Sequence, residues 1–597
     1  MDIAPQSDLP LHQRLGGALR NQVPVMPPSQ IIISAETSIA DLIRSLQEKA
    51  ESPRIALHLA GQFEAADLGP LLEASHRLAL AYVADPCANA AAACNAFAGA
   101  RVPLALTAHC YDRVDLVAVM TNSAFQILLI DPIAIGGPDP VRALAVLAEL
   151  CGIEVGIDAR NEDEQQAASA AGLSATLESC TRPLLLSADA AQKRVGTTNT
   201  ITISRHAAAL PEIAHIRLRR VSVPMRQLYV SAMYMRRTTE RIIIEIETTD
   251  GQTGFGETNG TPDVAAICAE MARKLLGHSP LDHLSLRRTC VGPMTASRNG
   301  LRDWSAWAGL EMALLDWRGR HLGQPLRSLL GPGGADSHEV VCHIPALMLD
   351  QPVNRRDLPR LFADPGRRRQ VVEHTLHQRQ QCGFTAFKIK STGTDPDWDV
   401  AVLRDLRAAL GPDVKLRWDP NANYPPAEAA ALAQRLEELK LEFYEDPTRG
   451  IAGMAQVRGH VSTPLATNMC VITFDHLSHA IRQPCVDVVL ADVVMWGGPQ
   501  SIVDLAAVAP LLGLDLTIHS AFEVGIGTAM NLHLAAALPP IRRAIDFGLE
   551  NMEQELITPR IPVRDGRVRA PDGPGLGVTP DWDQIGRCLI EDVTIAV

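Results

Sequence analysis

Beyond residue 336 the chain alternates short apolar runs with amphipathic stretches, and this alternation leaves few folds open. The runs fall at 386–389, 415–418, 442–444, 464–467, 486–490, 515–518 and 543–545, and most precede a helical pattern such as that at 501–512. Parallel strands cannot be joined by tight turns; each pair needs a crossover, usually a helix. Seven or eight such units in a row predict a closed α/β barrel of the TIM type.

The stretch before the barrel reads differently. Residues 241–249 are β-branched and alternating, and Asp250-Gly251 follows as a turn signal. Gly254, Gly256 and Gly260 imitate a dinucleotide loop, but the spacing is wrong and they follow a hairpin instead of opening a helix. Residues 303–330 read as one long helix stopped by the glycine-rich 331–334.

A shift of 361 residues superposes the N-terminal part of the chain on the barrel. Asp85-Pro86 falls on Asp446-Pro447, Asp131 on Asp492, and Gly136-Gly137-Pro138 on Gly497-Gly498-Pro499. The register holds without a gap from about residue 40 to 182, which predicts a second, barrel-like α/β domain. The chemistry does not survive the shift. Asp419 falls on His58, Glu445 on Ala84, Asn468 on Thr107 and His519 on Asp158; the lysine pair falls on Pro27 and Ser29. Residues 1–205 hold only Lys49 and Lys193, so this copy is expected to be catalytically inert.

Polar residues recur at the ends of the barrel's expected strands: Lys388 and Lys390, then Asp419, Glu445, Asn468, Asp492 and His519. From Lys390 the steps are 29, 26, 23, 24 and 27 residues, one βα unit each. Barrel active sites are built from the carboxyl ends of successive strands. Lys388 and Lys390, two apart, point to one side of a strand. Their mutual repulsion and partial burial would let one lose its proton near neutral pH; the plainer alternative is two exposed lysines. Asp419, Glu445 and Asn468 are oxygen donors that suit Mg²⁺, or else N-caps of the following helices. Asp492 beside His519 would fix the imidazole tautomer and raise its basicity.

With these strings in place, residues 214–597 resemble the enolase superfamily, in its mandelate racemase and glucarate dehydratase branch. The strings are FKIK (387–390), DPNANY (419–424), YEDP (444–447), LATNM (465–469), LADVVMW (490–496) and IHS (518–520), with PDGPGLGV (571–578) in the tail. The resemblance implies an α+β capping domain at 211–335 with 550–597, and a modified (β/α)₇β barrel at 336–549, preceded by the inert copy at 1–210. It implies Mg²⁺ on Asp419, Glu445 and Asn468. Lys390 would be the base on one face of the substrate, with the His519–Asp492 dyad on the other. Lys388 and Asn421 would bind the substrate carboxylate, and Tyr234 and His343 would line the pocket. The implied reaction is proton abstraction α to the carboxylate of a sugar acid, then loss of water to a keto-deoxy acid. An epimerase of the same superfamily and a non-catalytic sugar-acid binding protein are the alternatives. Asn468 is similar to the third ligand of glucarate dehydratases. The string His519-Ser520-Ala521 departs from their HSN, Tyr234 and His343 stand where they carry His and Tyr, and their tail arginine has no counterpart here.

Charge fits a small-molecule partner. Lys and Arg number 55 against 68 Asp and Glu, a net charge of −13, which argues against nucleic acid or an acidic membrane. No C-x-x-C pair, signal peptide or long apolar run is present, so a reduced, cytoplasmic protein is expected; a homo-oligomer is expected as well.

Overall fold

The computed structural model describes residues 211–291, 301–331, 333 and 335–596, and before them eight strands and Leu144. The chain divides into two compact units, Met1–Ala209 and Leu210–Val597.

The first unit holds β1 (Gln22–Pro24), β2 (Ser29–Ile32), β3 (Ile55–His58), β4 (Leu80–Ala84), β5 (Leu104–Thr107), β6 (Ile127–Ile130), β7 (Glu154–Ile157) and β8 (Thr200–Thr202). Strands β2 to β7 form a parallel sheet in sequence order, and β1 pairs with β8 antiparallel.

The second unit opens with β9 (Ile213–Val230), β10 (Met235–Thr248) and β11 (Thr253–Asn259), an antiparallel meander. The C-terminal strand Leu589–Ala596 returns to pair with β9. Ile242, Ile243 and Ile244 are all buried although consecutive, so both faces of this sheet are covered. Each such side chain stabilises the fold by roughly 1.5–3 kcal/mol. The helix Leu301–His321 packs across β11, where a Cβ on Gly256 would sit 2.0 Å from the Gly309 carbonyl oxygen. The glycines of this strand serve close helix–sheet packing. The single helix expected at 303–330 is two, Leu301–His321 and Arg327–Leu330. Gly323, at φ 63°, and Pro325 break it.

The barrel follows with β12 (Ser337–Ile344), β13 (Ala386–Lys390), β14 (Lys415–Asp419), β15 (Phe443–Glu445), β16 (Leu465–Thr467), β17 (Val488–Ala491), β18 (Asp515–Ile518) and β19 (Ile545–Phe547). They are parallel and ordered in sequence, with β19 beside β12. A bridge between Leu516 and Ile541 nearly closes the ring. Helices fill the crossovers, from Pro365–Cys382 after β12 to Ile526–Ala537 after β18, which is the expected (β/α)₇β architecture. Side-chain caps start several of them: Asp364 accepts from Gly366 N, Asp395 from Asp397 N and Trp398 N, and Thr473 from His476 N.

Strands β2 to β7 follow the same parallel order as β13 to β18. Shifted by 361, β6 and β7 coincide with β17 and β18 at both ends. Strand partners repeat as well: Ala84 pairs with Ala105 as Glu445 does with Ala466, and Ile127 with Glu154 as Val488 does with Asp515. One expectation needs correction. His58 pairs with Ile32 where Asp419 pairs with Lys390, and Ala56 pairs with Gln30 where Arg417 pairs with Lys388. Gln30 and Ile32, not Pro27 and Ser29, stand in register where the lysines do, because the connection from β2 to β3 is shorter than that from β13 to β14. Pro27, Lys49, Lys193, Asp131, Asp158 and Gly136-Gly137-Pro138 lie outside the described residues.

Candidate active site

The barrel brings the whole ladder together at the carboxyl ends of its strands. Lys388 and Lys390 point inward from β13; Asp419 and Glu445 end β14 and β15. Asn468, Asp492 and His519 each stand one residue past their strands, and all seven are buried. Lys388 Nζ donates to Glu445 Oε1 at 2.7 Å and to Asp546 Oδ2 at 2.5 Å. Lys390 Nζ donates to Asp419 Oδ2.

These pairings change the expectation for the lysines. Lys390 sits against Asp419, so repulsion from Lys388 does not decide its charge. Burial disfavours the Lys390 ammonium, but Asp419, with Tyr229, Tyr234 and Glu445 behind it, outweighs burial and raises its pKa well above the ordinary value. Lys390 can serve as a base only when another cation compensates Asp419. Asn421, expected to meet the substrate carboxylate, sits beside Asp419. At φ 51° it folds back, and its backbone N and Nδ2 donate to Asp419 at 2.8–3.0 Å. It orients that carboxylate, and one amide hydrogen can serve both of these oxygens.

His519 Nδ1 lies 2.7 Å from Asp492 Oδ2, and its Nε2 lies 2.8 Å from Asn468 Nδ2. With Nδ1 donating to Asp492, Nε2 carries the lone pair; the Asn468 amide meets it in this arrangement, with Oδ1 turned away, and must move aside before Nε2 can take a proton. Burial opposes the charged ring, but the hydrogen bond and charge of Asp492 outweigh it and raise the His519 pKa. Asp492 is held in turn by Val494 N and Met495 N. Asp446, at φ 37°, accepts from Asn468 N at 2.8 Å and so fixes the neighbouring strand end.

Metal ligation has a concrete signature here. Glu445 Oε2 and Asn468 Oδ1 are buried with no hydrogen-bond partner, a state that costs free energy unless something electropositive meets them. Burial foremost pushes the Glu445 carboxyl up to about 7, with Lys388 opposing and Asp419 and Asp546 adding to it. The set Asp419, Glu445 and Asn468 offers oxygen donors from three adjacent strands, as a hard divalent ion requires. Ligand atoms of Glu445, His519 and Asp546 also lie within 4.8 Å of one another. That second set fits less well, because His519 is engaged by Asp492 and Asn468, and Asp546 by Lys388.

Asp546, on β19, was missed at the sequence level. The ladder's own last step of 27, added to His519, lands on it. Asp546 Oδ2 lies 3.4 Å from His343 Nε2, with no well-aligned hydrogen bond on either ring nitrogen. Burial foremost drives His343 down to about 4, so this ring is neutral near pH 7.

The hairpin of β9 and β10 covers the mouth. Tyr234, at its tip, stacks under the Arg236 guanidinium at 4.3 Å, and the Tyr229 ring lies 4.7 Å from that of Phe522. Phe522, at φ 65°, turns back from the loop after β18. Arg355 staples the hairpin by donating to Ser231 O at 2.9 Å and to Thr392 O at 3.4 Å. Glu257 joins the sheet to the loop after β18: it accepts from Arg241 Nε, Val524 N and Gly527 N, each at 2.8 Å. Among the described residues no helix is long and apolar enough to cross a membrane.

A parallel barrel with a buried ring of acids and bases at its strand ends, roofed by an antiparallel cap, defines an enzyme of the α/β-barrel type. The profile of the family "Enolase C-terminal domain-like" matches residues 33–214 and again 370–584. That of "Mandelate racemase / muconate lactonizing enzyme, N-terminal domain" matches 213–331. The chain belongs to the enolase superfamily. It is 32% identical over 383 residues to a probable glucarate dehydratase of Streptomyces coelicolor, covering 60% of this chain and 87% of that protein. It is 26% identical to an L-Ala-D/L-Glu epimerase of Bacillus subtilis, covering 62% and 96%. Among solved structures, an enolase of Pseudomonas fluorescens with bound magnesium, potassium and tartrate is 29% identical with a TM-score of 0.57, covering 64% and 92%.

Proposed function

We propose that this protein is an acid-sugar dehydratase that uses Mg²⁺ to remove the proton α to a carboxylate. The observation that carries the reading is the pair of orphaned buried oxygens, Glu445 Oε2 and Asn468 Oδ1, in a ladder flanked by Lys390 and the His519–Asp492 dyad. Asp419, Glu445 and Asn468 would hold the ion. An α-proton is far less acidic than any side chain, and bound Mg²⁺ would supply the positive charge that stabilises the enediolate as it forms. The remaining work falls to this chain. Lys390, once Asp419 is otherwise compensated, takes the proton from one face; His519 Nε2 takes or returns it from the other. Asp492 holds the ring and stabilises its charged form. Lys388 anchors Glu445 and Asp546 and lies behind the substrate carboxylate, while His343 and Tyr234 line the space above. A β-hydroxyl then leaves with acid assistance from the protonated His519, giving a keto-deoxy acid.

The dehydratase among the relatives supports elimination. The epimerase supports a second reading, because acid–base groups on both faces could return the proton to the opposite side. Residues 211–335 with 550–597 would form the cap and 336–549 the catalytic barrel. Residues 1–210 would be a copy without chemistry, since His58, Ala84, Thr107, Gln30 and Ile32 replace the ladder. The test is a panel of mono- and diacid sugars incubated with protein and Mg²⁺. A keto acid is expected; a diastereomer with no keto acid would favour the epimerase, and no conversion of any member would overturn both readings.

A further inference from the structure

We infer that Glu257, on strand β11 of the antiparallel sheet, and Glu523, in the loop after β18, are positioning residues for His519, so that the sheet governs the acid–base group on one face of the substrate and not that on the other. The inference rests on the reading of His519 above and deepens it.

Side chains alternate in direction along a strand, and the two sides of β11 do different things. Gly254 and Gly256 let the helix Leu301–His321 pack close on one side. Glu257 faces the other, fully buried, and meets the segment that follows His519. The helix Ile526–Ala537 starts at Gly525, φ 136°, with no side-chain cap of its own. The free N–H groups at a helix start need an acceptor. Glu257 supplies it from a different sheet: Oε1 accepts from Val524 N and Oε2 from Gly527 N, each at 2.8 Å. Arg241 secures that carboxylate, donating from Nε to Glu257 Oε1 at 2.8 Å and from Nη1 to Asn259 Oδ1 at 2.9 Å. Glu523, also buried, continues the chain of bonds toward the ladder. It accepts from Ser520 Oγ at 2.5 Å and from Ala521 N at 2.9 Å, and Ser520 directly follows His519. Thr239, on β10, donates to Phe522 O at 3.5 Å. Each residue from Ser520 to Val524 therefore takes part in a bond to Glu257, Glu523 or Thr239. Burial foremost raises the Glu257 carboxyl, Arg241 opposes and Glu523 adds, so the two carboxylates stand within reach of one another's charge. Arg241 acts on the dyad as well. Burial pushes Asp492 up, but the hydrogen bond and charge of His519, with Met495 N and Arg241 adding, hold it below the ordinary range. Lys390 is held by Asp419 on β14, outside this network. A glutamine at 257 offers one accepting oxygen where two now serve three donors, so its NH₂ must face an N–H. A reacting group displaced by about 1 Å loses on the order of a hundredfold in rate.

The test measures α-proton exchange in D₂O with Mg²⁺ for two epimeric acid sugars, one presenting its α-hydrogen to His519 and the other to Lys390. Glu257→Gln and Glu523→Gln should each slow exchange on the His519 face about tenfold to a hundredfold, mainly through kcat, and change exchange on the Lys390 face by less than about twofold. Glu523→Gln leaves the bonds within the sheet intact, so it decides the matter where Glu257→Gln weakens the fold. Equal losses on both faces, or an unchanged rate on the His519 face in either variant, would overturn the inference. A second readout needs no substrate. The Nδ1 proton between His519 and Asp492 should give a low-field proton NMR signal, identified by its loss in His519→Asn. Both variants should shift it or quicken its exchange with water, while the indole N–H signal of Trp317, bonded to Thr248, stays in place. If wild type exchanges no α-proton, the dehydratase and epimerase readings fail, and this signal still decides the inference: a change in both variants supports it, and an unmoved signal in either refutes it.

Discussion

Glu445→Gln should make the metal-free protein more stable at pH 8 while abolishing its response to Mg²⁺. The Glu445 carboxyl is fully buried, and its pKa rises from 4.5 to about 7 on folding. That difference corresponds to roughly 3 kcal/mol. The sign follows from which state holds the proton. Below about pH 4.5 both states are protonated and the group costs nothing. Between there and pH 7 the unfolded chain ionises while the folded one resists, so stability falls as pH rises and stays low above 7. Glutamine removes the ionisation, and Lys388 keeps its contact with Asp546. The metal-free variant should therefore gain up to about 3 kcal/mol at pH 8 and nothing at pH 4. Mg²⁺ at a hundred times its Kd should stabilise wild type by about 2.7 kcal/mol, and this gain should vanish in the variant. Differential scanning calorimetry at both pH values, with and without Mg²⁺, reads all four states. A variant that keeps the wild-type Mg²⁺ shift, or is less stable than wild type at pH 8 without metal, would refute the assignment of Glu445.

Asp419→Ala should weaken Mg²⁺ binding more than Asn468→Ala, because it removes a formal charge and not a neutral ligand; titration calorimetry ranks them, and the reverse order would contradict the ligand set. Asp399 accepts hydrogen bonds from Ser391 and Tyr424, and burial foremost pushes its carboxyl up to about 7. Asp399→Asn should therefore abolish roughly 4 kcal/mol of the stability that wild type loses as pH rises from 4 to 7, and urea unfolding midpoints with parallel pH slopes would refute it. Gly256→Ala places a Cβ 2.0 Å from a backbone oxygen, so it should destabilise the second unit by about 3 kcal/mol or more, seen as a lower thermal midpoint; an unchanged midpoint would contradict the packing.

The barrel was legible because its evidence is local. Apolar runs of strand length, separated by one crossover each, identify β13 to β18 to within two residues at each end, and the ladder marks which end is chemical. Asp546 was equally within reach, one step further along, but the expected strand ended at 545 and the count stopped with it. The lysine pairings were not legible. Lys388 meets Asp546 only because β19 closes beside β12, and nothing near residue 388 announces a carboxylate 158 residues away. The packing of Arg236 and Tyr229 against Phe522 is hidden for a different reason. It depends on the cross-strand register of a hairpin and on a positive φ at a phenylalanine, which no pattern of hydrophobicity records. The helix expected at 303–330 ran too long because its apolar period continues past Gly323 and Pro325, where the backbone turns.

Exchange of the α-proton with solvent tests the proposed chemistry most directly. Acid sugars incubated with the protein and Mg²⁺ in D₂O, followed by proton NMR, show whether the α-hydrogen is lost and from which epimer. We predict Mg²⁺-dependent conversion to a deuterated keto-deoxy acid by wild type. His519→Asn should eliminate exchange from one face, and Lys390→Ala from the other, each leaving the opposite epimer's exchange measurable. Wild type that neither exchanges nor converts any acid sugar, or exchange that survives both substitutions on both epimers, would contradict the proposed site.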